Sequence, residues 1–216
     1  MLPILPISIT FPLPAPIVLE QKQEVLKAQK VPFFSQFLDI DAVEWKKKSC
    51  GIASLAMVIE YYKPETVSVN SLLQQGILNG AYLKNLGWIH QRLALLSETY
   101  GLQGLSYDLS GTDKKIAYGQ FKDFLKDGPV IASVHYKFDP ASTIPHLVVI
   151  NGFEGDTIYY NDPAASSANK KISATDFLKA WKKRFIVIRP EKEIAWNEYL
   201  YFNKADESSK KLLAKN

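Results

Sequence analysis

Thiols are nearly absent from this chain: its 216 residues include one cysteine, Cys50, and only three histidines, His90, His135 and His146. A single cysteine excludes an intrachain disulfide framework and any zinc site built on several thiolates. Three histidines leave little for a His-rich metal cage. Charge of one sign is also scarce. Lys+Arg 26 against Asp+Glu 22 gives a formal net charge of +4, too mild for a nucleic-acid footprint, so no nucleic-acid partner is expected. The chain has no Gly-rich phosphate loop and no internal repeat. What it does have is 47% hydrophobic residues, enough for one domain with a substantial core. Cys50 therefore either packs or reacts, and a lone thiol is silent about redox compartment.

Residues 1–19 carry no charged side chain, yet they hold five of the twelve prolines (Pro3, Pro6, Pro12, Pro14, Pro16). Each proline removes a helix hydrogen-bond donor and clashes with the preceding turn, so no integral membrane span is expected. Two readings stay open: an extended arm packed on the domain or a partner, or a signal or lipid-facing segment. The second makes the protein secreted or surface-bound, the first cytoplasmic; the localisation and the oligomeric state are left unknown. Residues 20–30 read as a short helix or linker. The division is then a Pro-rich arm and linker over 1–30, a domain over 31–190 and a charged tail over 191–216.

Within the domain, 31–36 (VPFFSQ) is extended, and Trp45 and three lysines precede the cysteine. Ile52, Leu55, Ala56 and Ile59 fall at i, i+3, i+4 and i+7, which predicts one buried face of a helix over 50–62 with Ser49 as N-cap. Asn70 or Ser71 is expected to cap a second helix, and a third is expected from about 86 to 100, stopping at Gly101. Strands follow at 102–109 and 129–136, separated by a helix over 115–127. Segments 146–153 and 157–160 form a hairpin about Glu154-Gly155-Asp156. Ser173 caps a last helix to about 182, and 184–188 closes the sheet. Helices first and an antiparallel sheet second define an α+β fold.

Cys50 opens its helix, where free backbone N–H groups and the helix dipole favour a thiolate. A free thiol titrates at about 8.5 and needs a positive neighbour to react at neutral pH. His146 begins the hairpin and Asp162 follows it, nine and seven residues from Gly155, so both arrive at one edge. There Asp162 can fix the imidazole tautomer while the other ring nitrogen faces the thiolate. Gln36 supplies an amide donor suited to an oxyanion. Singly, each has an ordinary structural use; the ordered set is more telling.

VPFFSQ (31–36), Trp45, SCGIASLAMVIEYY (49–62), PHLVVINGF (145–153) and IYYNDPA (158–164) resemble the papain-like cysteine peptidases. More narrowly, they are similar to the bacteriocin-processing (double-glycine leader) cysteine peptidases and their stand-alone bacterial relatives. The resemblance spans roughly residues 31–189. It implies a helical layer carrying the nucleophile packed on a mainly antiparallel sheet. It also implies Cys50 as nucleophile, His146 as general base and then acid, Asp162 as orienting carboxylate, and Gln36 with the Cys50 N–H as oxyanion donors. No metal or organic cofactor is implied, and the partner is a peptide or protein substrate. Pro145 stands where relatives carry a small residue, and the stretch from Gln36 to Cys50 is longer than in transporter-linked members. Two alternatives remain: acyl transfer by the same fold, or a catalytically idle peptide-binding module. Trp45, Tyr82 and Trp88 read as core more readily than as a groove, and His90 and His135 as structural or surface residues.

Overall fold

A computed structural model describes residues 28–190 and the backbone of Val25–Leu26. The readings made for 1–19 and 191–216 lie outside the described residues. In chain order the elements are β1 (Val25–Leu26), α1 (Cys50–Tyr62), α2 (Val69–Leu78), β2 (Tyr82–Leu83), β3 (Gly87–Trp88), α3 (His90–Leu95) and β4 (Leu102–Asp108). They continue through α4 (Lys114–Lys126), β5 (Val130–His135), β6 (Pro145–Glu154), β7 (Thr157–Asn161), β8 (Lys170–Ser173), α5 (Ala174–Ala180) and β9 (Trp181–Pro190). The main sheet runs β4-β9-β5-β6-β7-β8, with every neighbouring pair antiparallel.

Alternation along the strands sends side chains to two cores. Ile131, Val149, Ile186 and Ile188 meet Ile52, Leu55 and Ile59 of α1, with Leu72 of α2 and Leu93 of α3. Val130, Val148, Ile150 and Phe185 face the other way, onto Phe121 and Phe124 of α4 and Phe177 of α5. The sheet thus has helices on both faces, α1 to α3 on one and α4 and α5 on the other. This also changes α1, which is buried all round from Cys50 to Ile59 rather than along one stripe.

Several local expectations are revised. Within the 20–30 segment, Val25–Leu26 form β1, which pairs Leu26 with Phe153 of β6. Ser68 caps α2, its hydroxyl accepting from the Ser71 N–H, because Ser68 is the last residue with extended backbone. The expected helix over 86–100 gives its first residues to the β2–β3 hairpin; α3 and a 3-10 turn (Leu96–Tyr100) fill the rest, ended by Gly101 in the left-handed region at φ 68°. Ser173 does cap α5, but that helix stops at Ala180, since Trp181 is already extended and enters β9. β8 was not foreseen; four residues, Lys170 to Ser173, carry too weak an alternation.

Two polar devices tie the layers together. Arg189, fully buried, donates to the carbonyls of Phe124, Gly128, Pro129 and Ile188, and so caps the C-terminal end of α4. Asn161, also fully buried, donates to the carbonyls of Val31 and Pro32. Its oxygen accepts from Asn151 Nδ2 and from the Asn169 N–H. The extended segment ahead of Gln36 is thereby fastened to the end of β7, one residue before Asp162.

Candidate active site

Cys50 is the first residue of α1 and is 9% exposed. Ser49 stands at the N-cap, yet its hydroxyl donates to the Trp45 carbonyl at 2.9 Å and makes no cap bond. Gly51 follows because nothing larger fits: a Cβ there would lie 2.7 Å from Trp88 Cδ1 and 2.9 Å from Leu93 Cδ2. Trp88 in turn donates its indole N–H to the Lys48 carbonyl at 2.7 Å, closing the loop that delivers the cysteine.

His146 is buried, and its Nε2 donates to Asp162 Oδ1 at 2.6 Å. The same carboxylate oxygen accepts the Ala164 N–H at 2.8 Å, so Asp162 is held from two sides. The register explains the meeting. β6 carries an extra residue at Asn151, where pairing shifts between Ile150 and Gly152. Such a bulge moves every later partner by one position and to the other side of the strand. The ladder ends at Val149↔Asn161, three residues along β6 from His146, and Asp162 is the first residue past it.

Burial opposes protonation of His146, but the hydrogen bond to Asp162 and the electrostatic influence of the Cys50 and Asp162 side chains prevail and raise its pKa to about 9. With Nε2 committed to Asp162, the ring nitrogen left for Cys50 is Nδ1. Tyr136 packs edge-on against the imidazole at 5.2 Å between ring centres and helps hold its plane.

Gln36 is buried, and its backbone N–H donates to the Pro163 carbonyl at 2.8 Å. Its side-chain Nε2 donates to the Lys46 carbonyl, also at 2.8 Å. One amide hydrogen is therefore engaged by the loop before Cys50, a bond the sequence reading did not include. The second hydrogen of a primary amide stays available.

A cleft of about 680 Å³ opens beside Cys50 and His146. One wall is aromatic: Tyr82 and Trp88 line it, and Trp45 packs behind them at 5.0 Å and 6.2 Å between ring centres. Trp88 is 8% exposed, so it serves as core and wall at once. The hairpin that presents them escaped the sequence reading because two-residue strands have no period. Ser133, Lys182, Arg184 and Asp108 also line the cleft and were missed, since only the strand register gathers them. His90 lines it as well, with a pKa lowered by burial and by Arg184. His135 does not; its Nδ1 donates to the Ser142 carbonyl and ties down the loop before β6. Among the described residues no group of three or more His, Cys, Asp or Glu is arranged to hold a metal ion, and no helix is long and apolar enough to cross a membrane.

A buried helix that presents a cysteine to histidine and aspartate carried by an antiparallel hairpin is the arrangement of a papain-like fold. The chain belongs to the Peptidase C39 like family, whose model matches residues 28–185. Among solved structures it is similar to a double glycine motif protease from an AMS/PCAT transporter, crystallised with its leader peptide. That pair shows 26% identity and a TM-score of 0.52, covering 79% of this chain and 99% of the other. It is also similar in fold to a C39-like peptidase from Bacillus anthracis, at 22% identity and TM-score 0.55, covering 76% and 96%. No curated protein matches the chain.

Proposed function

We propose that this chain is a cysteine peptidase that hydrolyses peptide bonds through Cys50, His146 and Asp162. The observation that carries the reading is the placement of His146, bonded to Asp162 through Nε2 and interacting with Cys50. A pKa of about 9 keeps the ring an imidazolium near neutrality, and an imidazolium is the partner that a thiolate nucleophile requires.

In the first step the Cys50 thiolate attacks the substrate carbonyl carbon. A C–S bond forms and the carbonyl oxygen takes the negative charge. The Cys50 N–H and the free amide hydrogen of Gln36 serve as donors to that oxyanion. Collapse breaks the C–N bond, and His146 gives its proton to the departing amine. Water then attacks the thioester carbon with His146 accepting its proton; the C–S bond breaks, releasing the acid and restoring the thiolate–imidazolium pair. Asp162 stays ionised throughout and fixes the ring orientation.

The substrate class is a peptide or protein, in keeping with the relative crystallised on a leader peptide. The test has two readouts on the full chain. A peptide-library digest followed by mass spectrometry is expected to give cleavage that Cys50→Ala abolishes. Iodoacetamide at pH 6 is expected to modify Cys50 faster than an unstructured thiol. Equal labelling rates together with no cleavage sink the reading.

A further inference from the structure

One row of residues crosses the sheet on the α1 side at the level of the candidate site. Leu147 pairs with Ser133, Ser133 with Arg184, and Arg184 with Asp108. All four line the cleft, as does Lys182 beside them. The charges along this row do not balance. Asp108 is the row's one carboxylate, and it accepts from Arg184 Nε at 2.8 Å. That bond uses Nε alone, leaving the two terminal guanidinium nitrogens for another acceptor. Lys182 has no carboxylate partner among the described residues, and burial and Arg184 both lower its pKa. The other groups facing the row are Lys47 and Lys48 across the cleft and His90, whose pKa is held down. None supplies negative charge.

We propose that Lys182 and Arg184 form an anion-accepting subsite of the cleft, which takes a substrate carboxylate about three residues from the bond cut at Cys50. The inference rests on the peptidase reading and names its substrate more narrowly. The spacing follows from strand geometry. Two strand steps separate Leu147 from Arg184, roughly 10 Å, and an extended peptide covers that in about three residues. A guanidinium with two free nitrogens accepts a carboxylate in a paired, directional way, and the adjacent ammonium adds charge without a competing internal partner. Half-buried as it is, Lys182 is screened less than a surface lysine. Two sources offer this chemistry: an internal Asp or Glu side chain, or the free C-terminus of a short peptide.

The test reads occupancy without turnover, so it can succeed or fail apart from the peptidase reading. Acetylated, amidated octapeptides of Ala and Ser carry one Glu at successive positions; their Gln counterparts are controls, and a third set has a free C-terminal acid. Each is titrated against the rate at which iodoacetamide alkylates Cys50 in the full chain. The best Glu or free-acid peptide is expected to half-protect Cys50 at about tenfold lower concentration than its Gln or amidated counterpart. In the Lys182→Gln/Arg184→Gln variant that advantage is expected to shrink below about twofold. Protection by Glu peptides marks a side-chain carboxylate, and protection only by free acids marks a chain terminus. Equal protection by charged and neutral peptides, no protection by any, or an advantage unchanged in the variant overturns the proposal. Should the double variant not fold, the wild-type comparison of Glu with Gln peptides and the single Lys182→Gln variant still decide it.

Discussion

His146, near the start of β6, and Asp162, the first residue past β7, meet at one end of the β6–β7 pair, Nε2 to Oδ1 at 2.6 Å. The contact is a consequence of register as much as of residue type. Asp162→Asn keeps the shape but presents an amide where the ring N–H needs a charged acceptor. The expected result is a fall in kcat of about 10²–10⁴ with a small change in KM. Steady-state kinetics on a cleaved library peptide measures it, and an unchanged kcat removes Asp162 from the mechanism.

Stability should depend on pH through the same ring. The folded pKa of about 9 exceeds the ordinary 6.5, so the stabilising contribution is fully present below pH 6.5 and is lost as pH rises through 9. Its size is on the order of 3 kcal/mol. Denaturant midpoints at pH 6 and pH 10 should therefore drop more steeply in the wild type than in His146→Ala. Parallel curves for the two proteins contradict the assigned direction.

Gln36 has one observed bond, to the Lys46 carbonyl, and one proposed task, and substitution can separate them. Gln36→Ala removes the proposed oxyanion donor and the bond to the Lys46 carbonyl, and is expected to lower kcat about 10²–10³-fold and to destabilise the fold by about 1–2 kcal/mol. Thiol labelling of Cys50 at pH 6 should stay close to the wild-type rate, since His146 is untouched. If kcat falls no further than the loss of folded protein explains, Gln36 is only a strut.

Gly51 lies where α1, Trp88 and Leu93 converge. Gly51→Ala must push the indole aside and is expected to cost about 1–3 kcal/mol, despite the better helix propensity of alanine. Trp88 shifts with it, so the cleft wall changes and KM rises. A thermal melt equal to the wild type would mean that the indole moves freely.

Arg189 supplies donors to four carbonyls at the end of α4. Arg189→Met keeps bulk and removes every donor, with an expected loss of about 2–4 kcal/mol. The loss should appear in equilibrium unfolding while the pH 6 labelling rate of Cys50 in the remaining folded protein is unchanged.

The helix at Cys50–Tyr62 and the hairpin about Gly155 were legible because one is a long apolar run ended by Lys63-Pro64 and the other a turn between β-branched runs. The order of Cys50, His146, Asp162 and Gln36 suggests a set of residue types, of which the structure joins His146 to Asp162. The bulge at Asn151 was not legible, since counting residues back from a turn assumes an unbroken ladder. Nor were Ser133, Lys182, Arg184 and Asp108 as neighbours. They come from three strands far apart in sequence, and only pairing through β9 aligns them. Short elements such as β2, β3 and β8 carry too few residues for any period, and the change of backbone at Trp181 reflects sheet pairing that a helical pattern cannot reveal.

The Asn161 knot has a mechanical consequence. Its amide grips the backbone at Val31 and Pro32, and the next residue along β7 is Asp162. A load at Val31 or Pro32 therefore passes into the end of β7, while the chain ahead of them is tied separately to β6 through β1 and the Gln29 N–H. One buried amide therefore fixes the places of two candidate groups at once, Gln36 on the segment it holds and Asp162 just beyond the strand it ends.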